Sequence, residues 1–223
     1  MPISEVYNID CMEYMKGIPD KFFDLAIVDP PYGKNIGNMN LGVGKSSRCS
    51  SIKNRKWKPK DWDKSKPSDD YFAALFRVSK RQIIFGGNYF RLPCSPFFCI
   101  WDKGEGMYGR SFAECEYAWV SNGGTRIFKI PPYDKERIHP TQKPISLYAC
   151  ILNRYAKAGY KILDTHLGSG SSRIAAYKMG FDFYATEIDK DYFEAQEERF
   201  RYECHGEIKT SKGILIQPSL FGI

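Results

Sequence analysis

Residues 161–189 read KILDTHLGSGSSRIAAYKMGFDFYATEID, and the fold is decided in this stretch. An apolar run, Lys161-Ile162-Leu163-Asp164, leads into a turn holding Gly168 and Gly170. A helical segment from about Ser171 to Met179 and a second apolar run, Phe183 to Thr186, follow. Strand, glycine turn, helix, strand is the repeating unit of a parallel sheet, since a parallel neighbour is reached only by a crossover. Glycines in such a turn let a ligand approach backbone N–H groups at a helix start. Glu187 ends the second run seventeen residues beyond Gly170, near the distance at which an acid reaches ribose hydroxyls in a dinucleotide fold. Arg173 replaces the third glycine of that fingerprint and would crowd a pyrophosphate, which disfavours a nicotinamide dinucleotide. Taken alone, the stretch is equally an ordinary strand-to-helix turn with an acid nearby.

Working outward, Pro144 is placed to open a helix on which Tyr148, Ile151, Leu152 and Tyr155 recur at helical spacing. Another helix is expected from about Lys190 to Cys204, with a polar tail after His205. Toward the N-terminus, the apolar runs 25–28, 82–85, 97–101 and 116–120 each stop at turn residues, so the middle of the chain reads as strand-rich. Alternating strands and helices predict an α/β, doubly wound, mostly parallel sheet.

The 223 residues, 43 % of them hydrophobic, suit one domain, expected over 1–210 with a basic insertion at 44–68 and a tail at 211–223. No run approaches the roughly 18–20 apolar residues of a membrane span, and the start lacks the pattern of a secretory signal, so a cytoplasmic protein is expected. The 7 cysteines form no C-x-x-C pair and the 3 histidines offer no paired spacing, which argues for reduced thiols and no metal. A net charge of +7 suits a polyanionic partner. It is concentrated at Lys45, Arg48, Lys53, Arg55, Lys56, Lys58, Lys60, Lys64 and Lys66, interleaved with Trp57 and Trp62. Such a run is commonly a solvated loop; beside a catalytic turn it is also placed to grip phosphates.

That turn is Asp29-Pro30-Pro31-Tyr32-Gly33. Two prolines fix backbone angles and hold the preceding residue extended, so the Asp29 carboxylate and the nearby carbonyls are aimed rigidly. An amino nitrogen on a base ring is a poor nucleophile because its lone pair is delocalised. Accepting its two hydrogens, one by Asp29 and one by the Pro30 carbonyl, favours a pyramidal nitrogen able to attack a methyl sulfonium. Tyr32 offers a face on which an extruded base can stack, worth about 1–3 kcal/mol, similar to the few kcal/mol needed to unstack it.

These motifs, in this order, resemble the β class of amino DNA methyltransferases over most of the chain. The matching features are Asn8-Ile9-Asp10-Cys11, Asp24, Asp29 to Gly33, Phe85-Gly86-Gly87-Asn88, His139 to Pro144, the 164–170 loop and Glu187. The resemblance implies a seven-stranded, Rossmann-like sheet with an antiparallel strand, an S-adenosyl-L-methionine cofactor, and duplex DNA as partner. It implies that Asp10 meets the cofactor's adenine, Thr141, Gln142 and Lys143 its methionine part, and Glu187 its ribose, with Cys11 and Ile188 also in the cofactor site. Asp164, His166, Gly168 and Gly170 would complete that site with Asp29. Asp29, Pro30, Pro31 and Tyr32 align with the catalytic residues. The Asp form is more typical of adenine-N6 than of cytosine-N4 enzymes. One departure is Asp164-Thr165-His166, where the family loop reads Asp-Pro-Phe. An imidazole replaces an apolar contact, so His166 either stacks in its place or affinity falls; micromolar binding is expected.

Lys45, Arg48, Lys53, Arg55, Lys56 and Lys58 are the expected DNA-binding residues, with short target-recognition loops within 103–138. Gln217, Leu220 and Phe221 resemble the peptides by which bacterial proteins dock on the replication sliding clamp, although the tail could equally dock on its own domain. The resemblance fits a bacterial, phage or mobile-element setting such as restriction–modification. Homodimerisation, a catalytically silent DNA-binding module, and cytosine-N4 chemistry stay open at this point.

Overall fold

The structure, a computed structural model, describes residues 1–36, 60–110, 112–132, 137–210 and 213–216. The elements run β1 (Ser4–Tyr7), α1 (Cys11–Lys16), β2 (Leu25–Val28), α2 (Asp69–Val78), β3 (Gln82–Phe85), β4 (Phe97–Asp102), β5 (Cys115–Val120) and β6 (Arg126–Lys129). They continue with α3 (Ile145–Tyr155), β7 (Lys161–Asp164), α4 (Ser171–Lys178), β8 (Asp182–Thr186), α5 (Lys190–His205), β9 (Glu207–Thr210) and β10 (Gly213–Ile216).

One sheet holds eight strands in the order β1-β8-β7-β2-β3-β5-β4-β6. All its neighbouring pairs are parallel except the two made by β5, so a single strand runs against the rest. The expected doubly wound sheet with one antiparallel strand is present, but with eight strands rather than seven. Its two edges are the four-residue β1 and β6, too short and too exposed to carry a strong apolar signal.

Side chains alternate across the central strands as a pleat requires. Leu25, Ile27, Ile83 and Phe85 face one layer with Leu147, Ile151 and Leu152 of α3 and Ala175 and Ala176 of α4. Ala26, Val28 and Ile84 face the other with Met15 of α1 and Phe72, Leu75 and Val78 of α2. Both faces are covered, which is why these strands read as unbroken apolar runs.

The helix over 145–155 opens after Pro144 as its sequence predicts. Helix α2 was not read from the sequence, although Ser68 at its start, Asp69 and Asp70 in its first turn, and buried Tyr71, Phe72, Leu75 and Val78 are a complete helical signature. The segment expected as a polar tail is an antiparallel hairpin from Glu207 to Ile216, with Ile214, Leu215 and Ile216 exposed. Among the described residues no helix is long and apolar enough to cross a membrane.

Strand order places the functional end. β2 connects outward to β3 through α2 on one face, whereas β7 connects to β8 through α4 on the opposite face. The chain therefore diverges between the neighbours β2 and β7, and the crevice beyond their carboxyl ends is where open α/β sheets bind ligands.

Candidate functional site

A cleft of about 490 Å³ opens at that crevice. Strand β2 delivers Asp29 to Tyr32 into it, and β7 delivers the turn after Asp164. Asp29 accepts a hydrogen bond from the Tyr32 hydroxyl at 2.6 Å on one carboxylate oxygen and one from the Lys143 ammonium on the other. Lys143 also pairs with Glu116 at 3.2 Å, and Glu116 with Lys103 at 2.8 Å. Two half-buried carboxylates thus share one buried lysine. Burial alone would lower the Lys143 pKa, but Asp29 and Glu116 outweigh it and hold the pKa above its usual value. Burial likewise works against an ionised Glu116, and Lys143 with Lys103 keep its pKa below normal. The Tyr32 and Lys143 contacts, one on each oxygen, hold the Asp29 carboxylate in place.

The Tyr32 ring lies against the backbone at Gly86, where φ is +67°. A Cβ there would sit 2.2 Å from Tyr32 Cε1, so the close approach requires glycine. Tyr89 lies beyond, with ring centroids 5.0 Å apart and a 30° tilt. Burial, followed by the Asp29 and Glu116 charges, pushes the Tyr32 phenol well above its ordinary pKa, so it donates as a neutral hydroxyl.

The remaining walls come from both ends of the chain. Asp10 caps α1, accepting from the Met12 N–H at 2.7 Å, and stands in the cleft with Cys11. Glu187 and Ile188 at the end of the neighbouring strand β8 also line it, joined to the first loop by the Asn8 amide, which donates to the Glu187 carbonyl at 2.7 Å. The Glu187 carboxylate accepts the Gly168 N–H at 2.7 Å and the Asp189 N–H at 2.9 Å. Thr141, Gln142 and Lys143 form a third wall, and His166 with Gly168 the floor after β7. His166 is half-buried and edge-on to Tyr71, with ring centroids 5.3 Å apart, and desolvation lowers its pKa to about 4. The ring is therefore neutral and presents an uncharged face where the family loop has phenylalanine.

Of the expected site residues, Asp164 and Gly170 stand behind the cleft rather than on its surface. Asp164 accepts from Ser172 Oγ at 2.6 Å and from the His166 N–H at 3.1 Å, and so braces the turn; burial raises its pKa to about 7. Gly170 caps α4 with φ +74°, close to Gln196. Arg173, expected to crowd an anion at the helix start, instead points into α5, bonding Glu197 at 2.6 Å and Gln196 at 3.0 Å. The turn is left open.

Several lining residues were missed in the sequence: Glu116, Tyr148, Trp62 and Asp63. Glu116 had a legible signal, a single charge inside the apolar run of β5. Trp62 rests against His139 with centroids 5.0 Å apart, and His139 against Tyr192 at 4.3 Å, neighbours that no local pattern announces. Of the basic run, Lys60 is paired internally, at 2.5 Å to Asp189 and 2.9 Å to Asp191. Lys45, Arg48, Lys53, Arg55, Lys56 and Lys58 lie outside the described residues, as do Gln217, Leu220 and Phe221. The described parts of the 104–110 and 123–135 loops do not line the cleft.

The DNA methylase family model matches residues 96–198, which span the strands β4 to β8 and the TQKP, glycine-turn and Glu187 walls. Over 217 residues the chain is 21 % identical to YubD of Escherichia coli (strain K12), a methylase candidate, covering 85 % of this chain and 87 % of that one. Its fold is similar to that of M1.HpyAVI, solved with SAM, at a TM-score of 0.54 and 20 % identity, covering 87 % of this chain and 98 % of that one. It is also similar to the cytosine-N4-specific PvuII DNA methyltransferase, at a TM-score of 0.56 and 12 % identity, covering 90 % and 87 %. At these identities the solved structures speak to the fold.

Proposed function

The chain is a member of the N6/N4 DNA methyltransferase family, and from that premise we propose that it transfers the methyl group of S-adenosylmethionine to the N6 amino group of adenine in duplex DNA. The observation that carries this reading is the Asp29–Tyr32 pair, 2.6 Å apart at the end of β2, opening into the same cleft as Glu187 and Gly168. The cofactor, when bound, supplies an electrophilic methyl on sulfur.

The residues present fit that cofactor. The cleft is of the volume that holds a ligand of drug size. Glu187 offers buried carboxylate oxygens suited to ribose hydroxyls, and Asp10 lines the same cleft, where the cofactor's adenine would lie. His166 gives a neutral ring, and Thr141, Gln142 and Lys143 line the wall on the Asp29 side.

On the substrate side, Asp29 already accepts one hydrogen bond on each oxygen, and each oxygen keeps a second lone pair for an incoming N–H. The base amine would donate one hydrogen to Asp29 and the other to the Pro30 carbonyl, leaving its lone pair free for the electrophilic methyl, and the nitrogen, once methylated, would release one of its two protons to solvent. Lys143, held between Asp29 and Glu116, fixes the orientation of the carboxylate for this purpose. Tyr32, braced on Gly86 and Tyr89, supplies a stacking face.

The adenine preference rests on the Asp form of the turn. Incubating purified protein with labelled cofactor and varied duplex DNA, then identifying nucleosides by mass spectrometry, should give N6-methyladenine. Asp29→Ala should reduce the rate by roughly 10²-fold or more, the scale of removing a preorganised polar group. N4-methylcytosine would move the assignment to that base, and transfer to no base by the folded protein would overturn it.

A further inference from the structure

Asp63 is 1 % exposed, although it lies in the most highly charged part of the chain. Its carboxylate is spent on backbone. One oxygen accepts the N–H groups of Tyr32 at 2.7 Å and Gly33 at 2.9 Å, and the other accepts that of Ile36 at 2.9 Å. Its carbonyl accepts a fourth, from Asn35 at 2.8 Å. Tyr32 and Gly33 belong to the catalytic turn, and Asn35 and Ile36 follow it directly.

The backbone here takes an uncommon shape. Gly33 has φ +71° and Asn35 φ +56°, so two of its residues are left-handed, one of them not glycine. Left-handed residues in a short loop make neighbouring N–H groups converge on one point, forming a concavity for an anion. Here the anion is supplied by the chain itself, from 30 residues beyond Gly33. Charge-assisted bonds to buried N–H groups are the strong kind, and among the described residues it is Asp63 that accepts from the Tyr32 and Gly33 amides.

We infer that Asp63 is a positioning residue for the proposed methyl transfer: by holding the amides of residues 32, 33 and 36 it sets Tyr32 beside Asp29. The inference rests on the proposed function for its catalytic consequence. It acts through Tyr32, whose ring placement on Gly86 and hydroxyl bond to Asp29 both follow from where its backbone is held.

Asp63→Ala and Asp63→Asn test it beside the wild type through amide hydrogen exchange, calorimetry with S-adenosylhomocysteine, and turnover at saturating cofactor and DNA. In Asp63→Ala the amides of Tyr32, Gly33 and Ile36 should exchange at least about tenfold faster and kcat should fall about tenfold or more, the scale of removing one charge-assisted bond. Cofactor affinity should stay within about threefold, since Asp63 borders the cleft but is only 1 % exposed, and Glu187, Gly168 and Thr141 to Lys143, which carry the cofactor in the proposed function, are untouched. Asp63→Asn keeps one acceptor oxygen and should fall between the two. Unchanged kcat and exchange in folded Asp63→Ala would overturn the inference. So would kcat, cofactor affinity and melting temperature falling together in both variants, the mark of a merely structural residue. Should Asp63→Ala not fold, Asp63→Asn decides: slower turnover with wild-type cofactor affinity supports the role, and wild-type turnover overturns it. A wild type that methylates nothing removes the proposed function, and the positioning role with it; an active wild type matched by its variants removes only the latter.

Discussion

The carboxylate of Glu187 accepts the backbone N–H of Gly168 at 2.7 Å, tying the end of β8 to the turn that follows β7. Burial pushes its pKa up, and the N–H groups of Asp189 and Gly168 pull partly back. Glu187→Gln keeps the shape but removes the charge and turns one acceptor into a donor. Affinity for S-adenosylmethionine should fall by roughly 10- to 150-fold, the equivalent of about 1.5–3 kcal/mol for a hydrogen bond to a charged group. Calorimetry measures this directly, and wild-type affinity would free Glu187 of any part in binding. Because the raised pKa brings protonation nearer to neutrality, affinity of the unaltered protein should weaken as pH falls through it.

Gly86→Ala should be costly for two separate reasons. The backbone there is left-handed, a conformation that costs an alanine roughly 1–2 kcal/mol, and the new methyl would meet Tyr32 at 2.2 Å. A drop in melting temperature of roughly 2–8 °C is expected for a chain this size. Methyl transfer should fall further than stability does, because the displaced ring belongs to the catalytic turn.

Stability should depend on pH in a way that Asp164→Asn exposes. Burial lowers the pKa of His139 to about 3 and of His166 to about 4, from 6.5, so between pH 4 and 6.5 the unfolded chain binds two protons that the folded one refuses. Asp164 works in the opposite sense. Its folded pKa of about 7 lies above the ordinary 3.8, so in this window the folded state holds a proton that the unfolded one has lost. From these three groups stability rises with pH across the window, with Asp164 cancelling part of the histidines' effect. Asp164→Asn removes that offset, and acid destabilisation should steepen by up to about 1.4 kcal/mol per pH unit. Urea titrations at several pH values would read the slope; an unchanged one would mean that Asp164 is ionised in the fold.

Neutralising Lys53, Arg55, Lys56 and Lys58 together should flatten the dependence of DNA affinity on salt. Each phosphate that is no longer neutralised by the protein lowers the slope of log K against log salt by about 0.9. A filter-binding series over a range of salt concentrations would resolve a change of that size for even one of the four side chains. An unchanged slope would assign the grip on DNA elsewhere.

The parallel sheet and the placement of the site were legible because they rest on local patterns. The run Leu25 to Val28 stopped by Asp29-Pro30-Pro31, and Lys161 to Asp164 stopped by the glycine turn, each announce a buried strand and its functional end. What stayed hidden depends on distant partners. Asp63 reads as one more charge in a solvated run until the amides of Tyr32, Gly33 and Ile36 are seen around it. Arg173 reads as an obstacle to an anion until Glu197 and Gln196 draw it aside. Asp164 and Gly170 belong to the right turn, but a motif does not say which of its members face the ligand and which brace those that do. The edge strands β1 and β6 were illegible because four half-exposed residues carry little pattern.

Strand β1 finds its place only beside β8, with Ser4 opposite Phe183 and Tyr7 opposite Thr186. During synthesis β1 must therefore wait for the roughly 180 residues between Tyr7 and Thr186, on the order of ten seconds or more at roughly 5–20 residues per second. Until then Asp10 lacks Glu187 near it, and a nascent chain, or one cut short before β8, holds no finished pocket. Competence to bind should arrive late and all at once, when β8 forms and takes β1 as its neighbour.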